Sequence, residues 1–538
     1  MIRWSLALLA SIALAGFTSV ALGADVGALT RALPKAQSQR LSRGVERLAS
    51  TGYVSGIPSL RIPALVMADA TTTVASPMAV AASWDGATAY AYGAALGRSA
   101  RAEGIDVLGL SLGEYGSEPL LAARLAPGLV RGVQSAHVVA AVVGRGGGAT
   151  DVRTLRERDL PPVVAAVQNG AGAVACSSRA GSAAAICADR RLLASILTRE
   201  VRFLGFAIGN PYDDLATPAR IVSTLSRVGA LAQSPRDPFG GEGRGDGLSR
   251  RIVQSGAVLL KNDAAVLPLD PAALSSLALV GADPQTQAAL AAVLPRTKIL
   301  PIVAGDLAAA VSAAHRAEAT IVVLGPQADP DESQLIAGVV AVNPRTAVVL
   351  ERSPDSAPDW ASGAPALLLA WAPSSGTPVA VANLIAGQAN PCGKLPIALP
   401  AAAGSSNPGF AFGDGLSYTA FAYSDLTVSY GRASDPHPVI VHFTVRNTGK
   451  VGGTEIAQLY LGAPAGGAGA SKALVGFVRL ALPAGQTRTL AIPLGVRSFA
   501  TWSPSYKAWY VAPGNYVAMV GDGSESIRLT GEIRIVGR

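Results

Sequence analysis

The sequence predicts a multidomain protein of the α/β plus β class, with two α/β domains followed by a small β-sandwich. Its 538 residues exceed what a single hydrophobic core usually organises. Short apolar runs alternate with alanine-rich helical stretches over most of the chain, and beyond His437 the pattern changes to period-two alternation between turn signals. Half of the residues are hydrophobic and only 15% are charged, which excludes a disordered chain.

The first 23 residues have the features of an export signal. Arg3 opens a short basic region, residues 6–22 are almost wholly apolar, and small residues at Ala21 and Gly23 precede Ala24. A retained N-terminal anchor is the alternative. No later segment reaches about 18 uninterrupted apolar residues, so we expect no membrane span after removal of the signal. The mature protein is expected to be secreted or periplasmic.

Residues 24–236 are expected to form the first α/β domain. Five apolar runs have the composition of buried parallel strands and lie at 62–67, 105–110, 138–143, 172–175 and 203–208. The stretches at 85–102 and 155–168 have the length and composition of crossover helices. Such a βα repeat is typical of a barrel or of an open α/β sheet.

A glycine-rich linker at 237–248 separates this domain from a second α/β domain at 249–425. Strands are predicted in the second domain at 278–280, 320–324, 346–350 and 366–370. Residues 426–538 form the predicted β-sandwich, with strands at 439–445, 455–461, 487–492 and 516–520. Turn sequences such as NTG and PGN lie between these strands, as in small sandwich domains.

Charge, histidine and cysteine usage restrict the partners. The formal charge of +8 mildly favours acidic partners, but no run of Lys and Arg stands out, so we expect no nucleic-acid partner. Four scattered histidines and three cysteines without a Cys-x-x-Cys spacing predict neither a metal site nor a cofactor. In an exported protein Cys176 and Cys187 are candidates for a disulfide, whereas Cys392 has no evident mate.

Several motifs occur in one order along the second half of the chain. They read SGAVLLKN at 255–262, LPL at 267–269, GQANPCGKLP at 387–396, FGDGLSYTAF at 412–421 and VGGTE at 451–455. In these motifs the chain resembles the glycoside hydrolase family 3 β-glucosidases and β-xylosidases that carry a fibronectin-III-like tail. The resemblance implies a TIM-like (β/α) barrel, an α/β sandwich domain and a C-terminal fibronectin-III-like β-sandwich.

The same resemblance implies an exo-acting retaining β-glycosidase of carbohydrate metabolism. Its partner would be a β-linked glucoside or xyloside oligosaccharide, or a polysaccharide. Retaining glycosidases use a nucleophilic carboxylate and an acid/base carboxyl about 5–5.5 Å apart. The family's nucleophilic Asp falls on Asn210, within GFAIGNP at 205–211. Because an amide is a very poor nucleophile toward an acetal carbon, we expect covalent catalysis at this position to fail.

Other positions of the family's site also differ. The family's Lys-His pair falls where this chain has Arg145 in a glycine-rich stretch, and the family's Gly-Arg element is lost shortly before Glu118. Arg145 and Glu118 remain candidates for substrate binding, although Tyr115 and Glu118 would more simply anchor the shortened loop. Asp69 matches a sugar-binding carboxylate of the family, and it would otherwise cap a loop.

Four carboxylates are candidate substitutes for the missing catalytic groups. Asp213 and Asp214 are either a displaced nucleophile or a solvated turn that begins the next helix. The family's acid/base loop is reduced to 325–332, where Asp331 and Glu332 are either a residual acid/base or an ordinary helix start.

Two functions remain open. The first is a β-glucosidase-like hydrolase whose activity is weak or absent. The second is a non-catalytic carbohydrate-binding or interaction protein on the same scaffold. The resemblance also implies that one or more barrel strands are missing after Asn210, so an exposed sheet edge has to be covered.

Overall fold

Three groups of β-sheets follow one another along the chain, and together they give a multidomain α/β plus β fold. The computed structural model describes residues 26–46, 52–60, 62–70, 74–143, 151–176, 195–209, 215–231, 245–303, 305–401, 408–432, 438–464 and 472–536. None of the helices described combines the length and apolar character needed to cross a membrane.

The first sheet contains six strands that neighbour one another in chain order. They are β1 (Tyr53–Val54), β2 (Leu65–Asp69), β3 (Val107–Ser111), β4 (Val139–Val143), β5 (Ala173–Ala175) and β6 (Phe206–Ile208). The first pair is antiparallel, and every later neighbouring pair is parallel. The strands therefore follow the chain order with helices between them, whereas a doubly wound sheet reverses its strand order at one point.

The helices of this domain are α1 (Val26–Arg31), α2 (Lys35–Glu46), α3 (Pro77–Ala82), α4 (Gly86–Ala102), α5 (Pro119–Gln134), α6 (Val152–Thr154), α7 (Leu160–Gln168) and α8 (Pro218–Val228). Their starts are locally encoded: Ser76 accepts a backbone hydrogen bond at the start of α3, and Asp85 accepts two at the start of α4. Helices α4 and α5 pack closely because Gly93 and Gly132 lie against the backbone of the opposite helix, where a Cβ atom would collide.

Helix α2 covers the opening between the two ends of the first sheet. It contacts both β1 and β6, and its Leu41 and Val45 are buried. The backbone N–H of Gly209, just after β6, donates to the carbonyl of Val45 at 3.4 Å. Within the described residues β6 pairs with β5 alone. The helix therefore protects an edge that a complete barrel would close with a further strand.

The second sheet has the strand order β7-β12-β11-β10-β8-β9. Its strands are β7 (Val258–Asn262), β8 (Ser276–Val280), β9 (Lys298–Ile302), β10 (Ala319–Leu324), β11 (Thr346–Leu350) and β12 (Ala366–Leu369). Only β7 is antiparallel, and β8 to β12 form a doubly wound parallel sheet. The accompanying helices are α9 (Gly245–Gly256), α10 (Pro284–Val293), α11 (Leu307–Arg316), α12 (Glu332–Val342) and α13 (Thr377–Ile385).

Helix α9 begins inside the stretch predicted to be a linker. Residues 245–248 are helical rather than extended, because Leu248 and Ile252 occupy one apolar face of α9 and are buried in the core. The short pair β13 (Leu399–Pro400) and β14 (Gly409–Phe410) follows the second sheet.

The third domain is a sandwich of a three-stranded and a four-stranded antiparallel sheet. The smaller sheet contains β15 (Phe421–Tyr430), β16 (Val439–Asn447) and β19 (Thr487–Leu494), and the larger contains β17 (Gly453–Gly462), β18 (Ala473–Leu482), β22 (Gly514–Gly521) and β23 (Ile527–Ile535). A separate hairpin joins β20 (Ala500–Ser503) to β21 (Ala508–Val511). The predicted alternation is confirmed in β16, where Val439, Val441, Phe443 and Val445 point into the core.

Lys394 is buried where the second and third domains meet, with 5% of its surface exposed. Its ammonium donates to the carbonyls of Gly415 and Asp522, each at 2.8 Å. It also lies 3.6 Å from a carboxylate oxygen of Glu455, which is buried as well. A buried ammonium is tolerated only when its protons have such acceptors.

The backbone of Lys394 contacts the first domain. Its N–H donates to the carbonyl of Ala82 at 2.9 Å, and its carbonyl accepts the indole N–H of Trp84 at 3.1 Å. The Trp84 ring packs against Phe412, at 5.3 Å between centroids, and edge-on against Phe477 of the third domain at 4.9 Å. One residue thus connects all three domains.

Replacing Lys394 by Met should destabilise the protein by about 3–5 kcal/mol near pH 8, because the Glu455 carboxylate is left buried without its cation. Burial already raises the pKa of Glu455, and Lys394 opposes that rise. Loss of Lys394 raises this pKa further, so the destabilisation should shrink as the pH falls toward 5 and the carboxylate takes up a proton. Urea unfolding at both pH values measures the effect.

The double variant Lys394→Met/Glu455→Gln is the control, and it should recover part of the stability lost at pH 8. A Lys394→Met penalty that is equal at pH 5 and pH 8 would contradict the coupling between these two groups.

Candidate active site

Asp69 is the last residue of β2, at the carboxyl edge of the first sheet. It pairs with Gly109 of β3, and the N–H of Ala70 donates to the carbonyl of Gly109 at 3.0 Å. The position that a Cβ atom on Gly109 would occupy is 2.6 Å from Oδ1 of Asp69. Gly109 therefore leaves room for the Asp69 carboxylate, and active sites of barrel proteins lie at this edge.

Glu114 joins Asp69 at this edge. It belongs to a single helical turn, Leu112–Tyr115, that directly follows β3. Partial burial of its carboxyl, and then the charge of Asp69, raise the pKa of Glu114 although the residue reaches the surface. Glu114 was not among the candidates expected from the sequence. The available signal was a carboxylate four residues beyond the end of the parallel strand predicted at 105–110.

Two buried tyrosines, Tyr92 and Tyr115, lie near Glu114. Their rings meet edge-on at 6.5 Å. Burial raises the pKa of both phenols, and the Glu114 charge adds to the rise. Both phenols stay neutral near pH 7, so they supply an apolar, uncharged support for the carboxylates.

Glu118 lies at the start of α5, where its side chain accepts the N–H of Leu120 at 3.5 Å. The neighbouring Ser117 donates its N–H to the carbonyl of Pro396 in the second domain at 3.0 Å. This geometry agrees with an anchoring role for the short loop after β3. The substrate-binding role of Glu118 stays a prediction.

Glu332 lies in the second domain with Arg352. The two form a bidentate pair at 2.7 and 2.8 Å, and Glu332 is buried. Its carboxylate also accepts the indole N–H of Trp360 at 3.2 Å and the backbone N–H of Asp329 at 3.2 Å. Asp331 beside it is exposed at the start of α12. Four donors fix the Glu332 carboxylate within its own domain, which does not favour proton transfer to a sugar in the first domain.

Glu351 follows β11 at the carboxyl edge of the second sheet. Only 6% of its surface is exposed, and Oε1 makes no hydrogen bond within the described part of the chain. Burial, and to a smaller extent the charge of Asp283, raise the pKa of Glu351 to about 7. It is therefore a buried carboxyl that titrates near neutral pH.

Several candidate residues lie outside the described residues, namely Arg145, Cys187, Asn210, Asp213 and Asp214. Cys176 is disulfide-bonded, and Cys392 is a buried free thiol. Trp371 is fully buried and donates its indole N–H to the carbonyl of Gly256 at 2.7 Å, so it belongs to the core. Among the described residues, no group of three or more His, Cys, Asp or Glu side chains is arranged to hold a metal ion.

Comparison with protein families gives two matches. Residues 257–418 match the glycosyl hydrolase family 3 C-terminal domain, and residues 455–524 match a fibronectin type III-like domain. These segments contain the buried Lys394 and its carboxylate partner Glu455.

Curated relatives are similar over part of the chain. The probable β-glucosidase K of Emericella nidulans is 30% identical over 278 residues, which are 43% of this chain and 32% of the relative. The thermostable β-glucosidase B of Acetivibrio thermocellus is 29% identical over 238 residues, which are 38% of this chain and 31% of the relative. The chain thus spans about a third of the length of the curated relatives that it matches.

Solved structures share the fold over almost the whole chain. A β-glucosidase from Chaetomella raphigera superposes with a TM-score of 0.81 and 21% identity, covering 95% of this chain and 98% of that one. The β-glucosidase DesR from Streptomyces venezuelae, in complex with D-glucose, gives a TM-score of 0.80 with 20% identity over 95% and 99%.

Glu351→Gln should remove a pH-dependent loss of stability. The carboxyl has a pKa of about 7 in the folded chain, against an ordinary value of 4.5. The wild-type protein therefore has the full stabilising contribution of the protonated carboxyl below about pH 4.5. Its free energy of unfolding falls by roughly 3 kcal/mol as the pH rises from there to about pH 7. The difference in unfolding free energy between variant and wild type should grow across this range.

Urea unfolding from pH 4.5 to pH 8 measures that difference, and Glu532→Gln on the exposed surface serves as the matched control. A constant difference between Glu351→Gln and wild type at every pH would show that folding leaves the pKa of Glu351 unchanged.

Proposed function

From the matches to the glycosyl hydrolase family 3 C-terminal domain and to a fibronectin type III-like domain, we propose that the chain is a family 3 member that recognises β-glucosides but hydrolyses them weakly or not at all. The relatives in two kingdoms whose names describe them as β-glucosidases support a β-glucoside as the sugar. A β-xyloside or a longer polysaccharide would be recognised in the same way, since each has a terminal β-linked ring with vicinal hydroxyl groups.

The proposal rests on the position of Asp69 in the first sheet. It matches a sugar-binding carboxylate of the family, and it lies at the carboxyl edge of the first sheet with the space above Gly109 open to its side chain. A carboxylate accepts hydrogen bonds from two neighbouring hydroxyls, and such charge-assisted bonds are the stronger kind. Asp69 can therefore hold the terminal sugar of a glucoside in a fixed orientation.

Two features argue against efficient hydrolysis. The position of the family's nucleophile is Asn210, whose amide cannot form the glycosyl-enzyme ester. Glu332, in the shortened acid/base loop, is held by Arg352 and Trp360. Loss of the nucleophile alone typically raises the barrier by on the order of 5 kcal/mol.

A second function, hydrolysis through relocated carboxylates, is favoured by one observation. Asp69 and Glu114 are close enough for the charge of the first to raise the pKa of the second. A carboxyl with a raised pKa beside a second carboxylate is an arrangement that acid/base chemistry uses. Glu114 would then be the acid, and Asp69 the carboxylate facing the anomeric carbon.

The proposed function predicts that cellobiose binds to the wild-type protein and that Asp69→Asn weakens binding about 10- to 100-fold, since a hydrogen bond to a charged acceptor contributes about 1.5–3 kcal/mol. Titration calorimetry measures both affinities. Glu103→Gln is the matched control, because Glu103 is an exposed carboxylate that follows α4, at the opposite edge of the sheet.

Equal affinity of Asp69→Asn and wild type would refute the assignment of the sugar site to this edge. Xylobiose and glucose, titrated in the same way, distinguish a glucoside from a xyloside preference.

A further inference from the structure

The hairpin β20–β21 of the third domain contacts the first domain at a cluster of six residues. We call them the hairpin cluster: Arg156, Glu157 and Glu200 come from the first domain, and Arg497, Trp502 and Trp509 from the third. The cluster is separate from the Lys394 junction, and Glu157 and Trp502, which join its two halves, lie 345 residues apart in the sequence.

Arg156 is the centre of the cluster. Its guanidinium forms a bidentate pair with Glu200 at 2.5 and 2.8 Å, and its Cζ lies 4.4 Å from the ring centroid of Trp502. Only 8% of Arg156 is exposed. A planar guanidinium can satisfy a carboxylate with its edge while an aromatic ring covers its face, and Lys cannot do both.

Further contacts fix the hairpin from both sides. The backbone N–H of Trp502 donates to Glu157 Oε1 at 2.7 Å, and Arg153 holds the same oxygen at 3.1 Å. Trp502 meets Trp509 edge-on at 5.4 Å, and Arg497 lies over the Trp509 ring. The hairpin therefore has a defined position on the first domain rather than a loose surface contact.

The cluster holds the two segments that border the strands β4 and β6. Arg156 and Glu157 belong to the π-helical turn Leu155–Asp159, which lies between β4 and α7. Glu200 ends the π-helical turn Ser195–Glu200, which precedes β6. Strands β4 and β6 run parallel to β2, which ends at Asp69, and the cluster holds the turn that follows β4 and the turn that leads into β6.

We infer that the third domain positions the part of the first sheet from β4 to β6 through the hairpin cluster, with Arg156 and Trp502 as positioning residues for sugar binding. The sugar-binding part of this inference rests on the proposed function. Neither residue has to touch the sugar: each acts by holding the turns beside β4 and β6. The third domain then contributes to the geometry of the sugar site, although its own residues do not contact the sugar.

Hydrogen exchange of the full-length chain tests the positioning directly. Trp502→Ala should raise the exchange rate at least tenfold in peptides covering 152–168 and 195–208, and Trp502→Phe should restore slow exchange because a ring again covers Arg156. Peptides from β10 and β11 should not change. Tyr506→Ala is the matched control, since Tyr506 lies in the same hairpin and is 79% exposed.

The affinity for cellobiose is measured on the same variants. It should fall at least threefold in Trp502→Ala and recover in Trp502→Phe, whereas a merely structural effect would follow the melting temperature instead. If Trp502→Ala unfolds, Arg156→Gln replaces it, because that variant keeps both tryptophans and removes the guanidinium that joins Glu200 to Trp502.

Unchanged exchange in 152–168 and 195–208 would overturn the inference. Faster exchange with unchanged cellobiose affinity would overturn its sugar-binding part. A wild-type protein that binds no cellobiose would refute the proposed function and the sugar-binding part together, while the exchange rates would still decide whether the hairpin holds the first domain.

Discussion

The buried ammonium of Lys394 is the constraint on which the arrangement of the three domains depends. An ammonium with 5% exposure needs acceptors on several sides, and here they come from Gly415, Asp522 and Glu455. Its backbone meanwhile binds Ala82 and Trp84 of the first domain. The relative positions of the domains are fixed because displacement of any one would leave a buried charge or a backbone group unpaired.

The segment that contains Lys394 also contacts the candidate site. Two residues after Lys394, the carbonyl of Pro396 accepts the N–H of Ser117 and so holds the short loop after β3. That loop carries Glu114, whose pKa responds to Asp69. The hairpin cluster holds the turn that follows β4 and the turn that precedes β6. The second domain makes the first of these contacts and the third domain makes the second, which gives a physical reason for keeping both beside a short first domain.

Local patterns predicted the fold well, and long-range contacts accounted for what they missed. The run at 346–350 became β11, and period-two alternation predicted β16, because each pattern reflects burial on the faces of a single element. Three features depend on residues far apart in the sequence. They are the packing of α2 against both ends of the first sheet, the contact of Arg156 with Trp502, and the proximity of Glu114 to Asp69. No local period encodes them. Asp69 was selected only because it matched a family position, and Glu332 gave no local sign of its partner Arg352.

The central claim is that the site recognises a β-glucoside without nucleophilic catalysis. Its most direct test is turnover of dinitrophenyl β-glucoside, whose leaving group needs no protonation, so that the rate reports the nucleophile alone. We predict release at the background rate by the wild-type protein under conditions where cellobiose binds. Release well above background by the wild-type protein would contradict the claim, and its loss in Asp69→Asn at saturating substrate, with release retained in Glu114→Gln, would identify Asp69 as a relocated nucleophile.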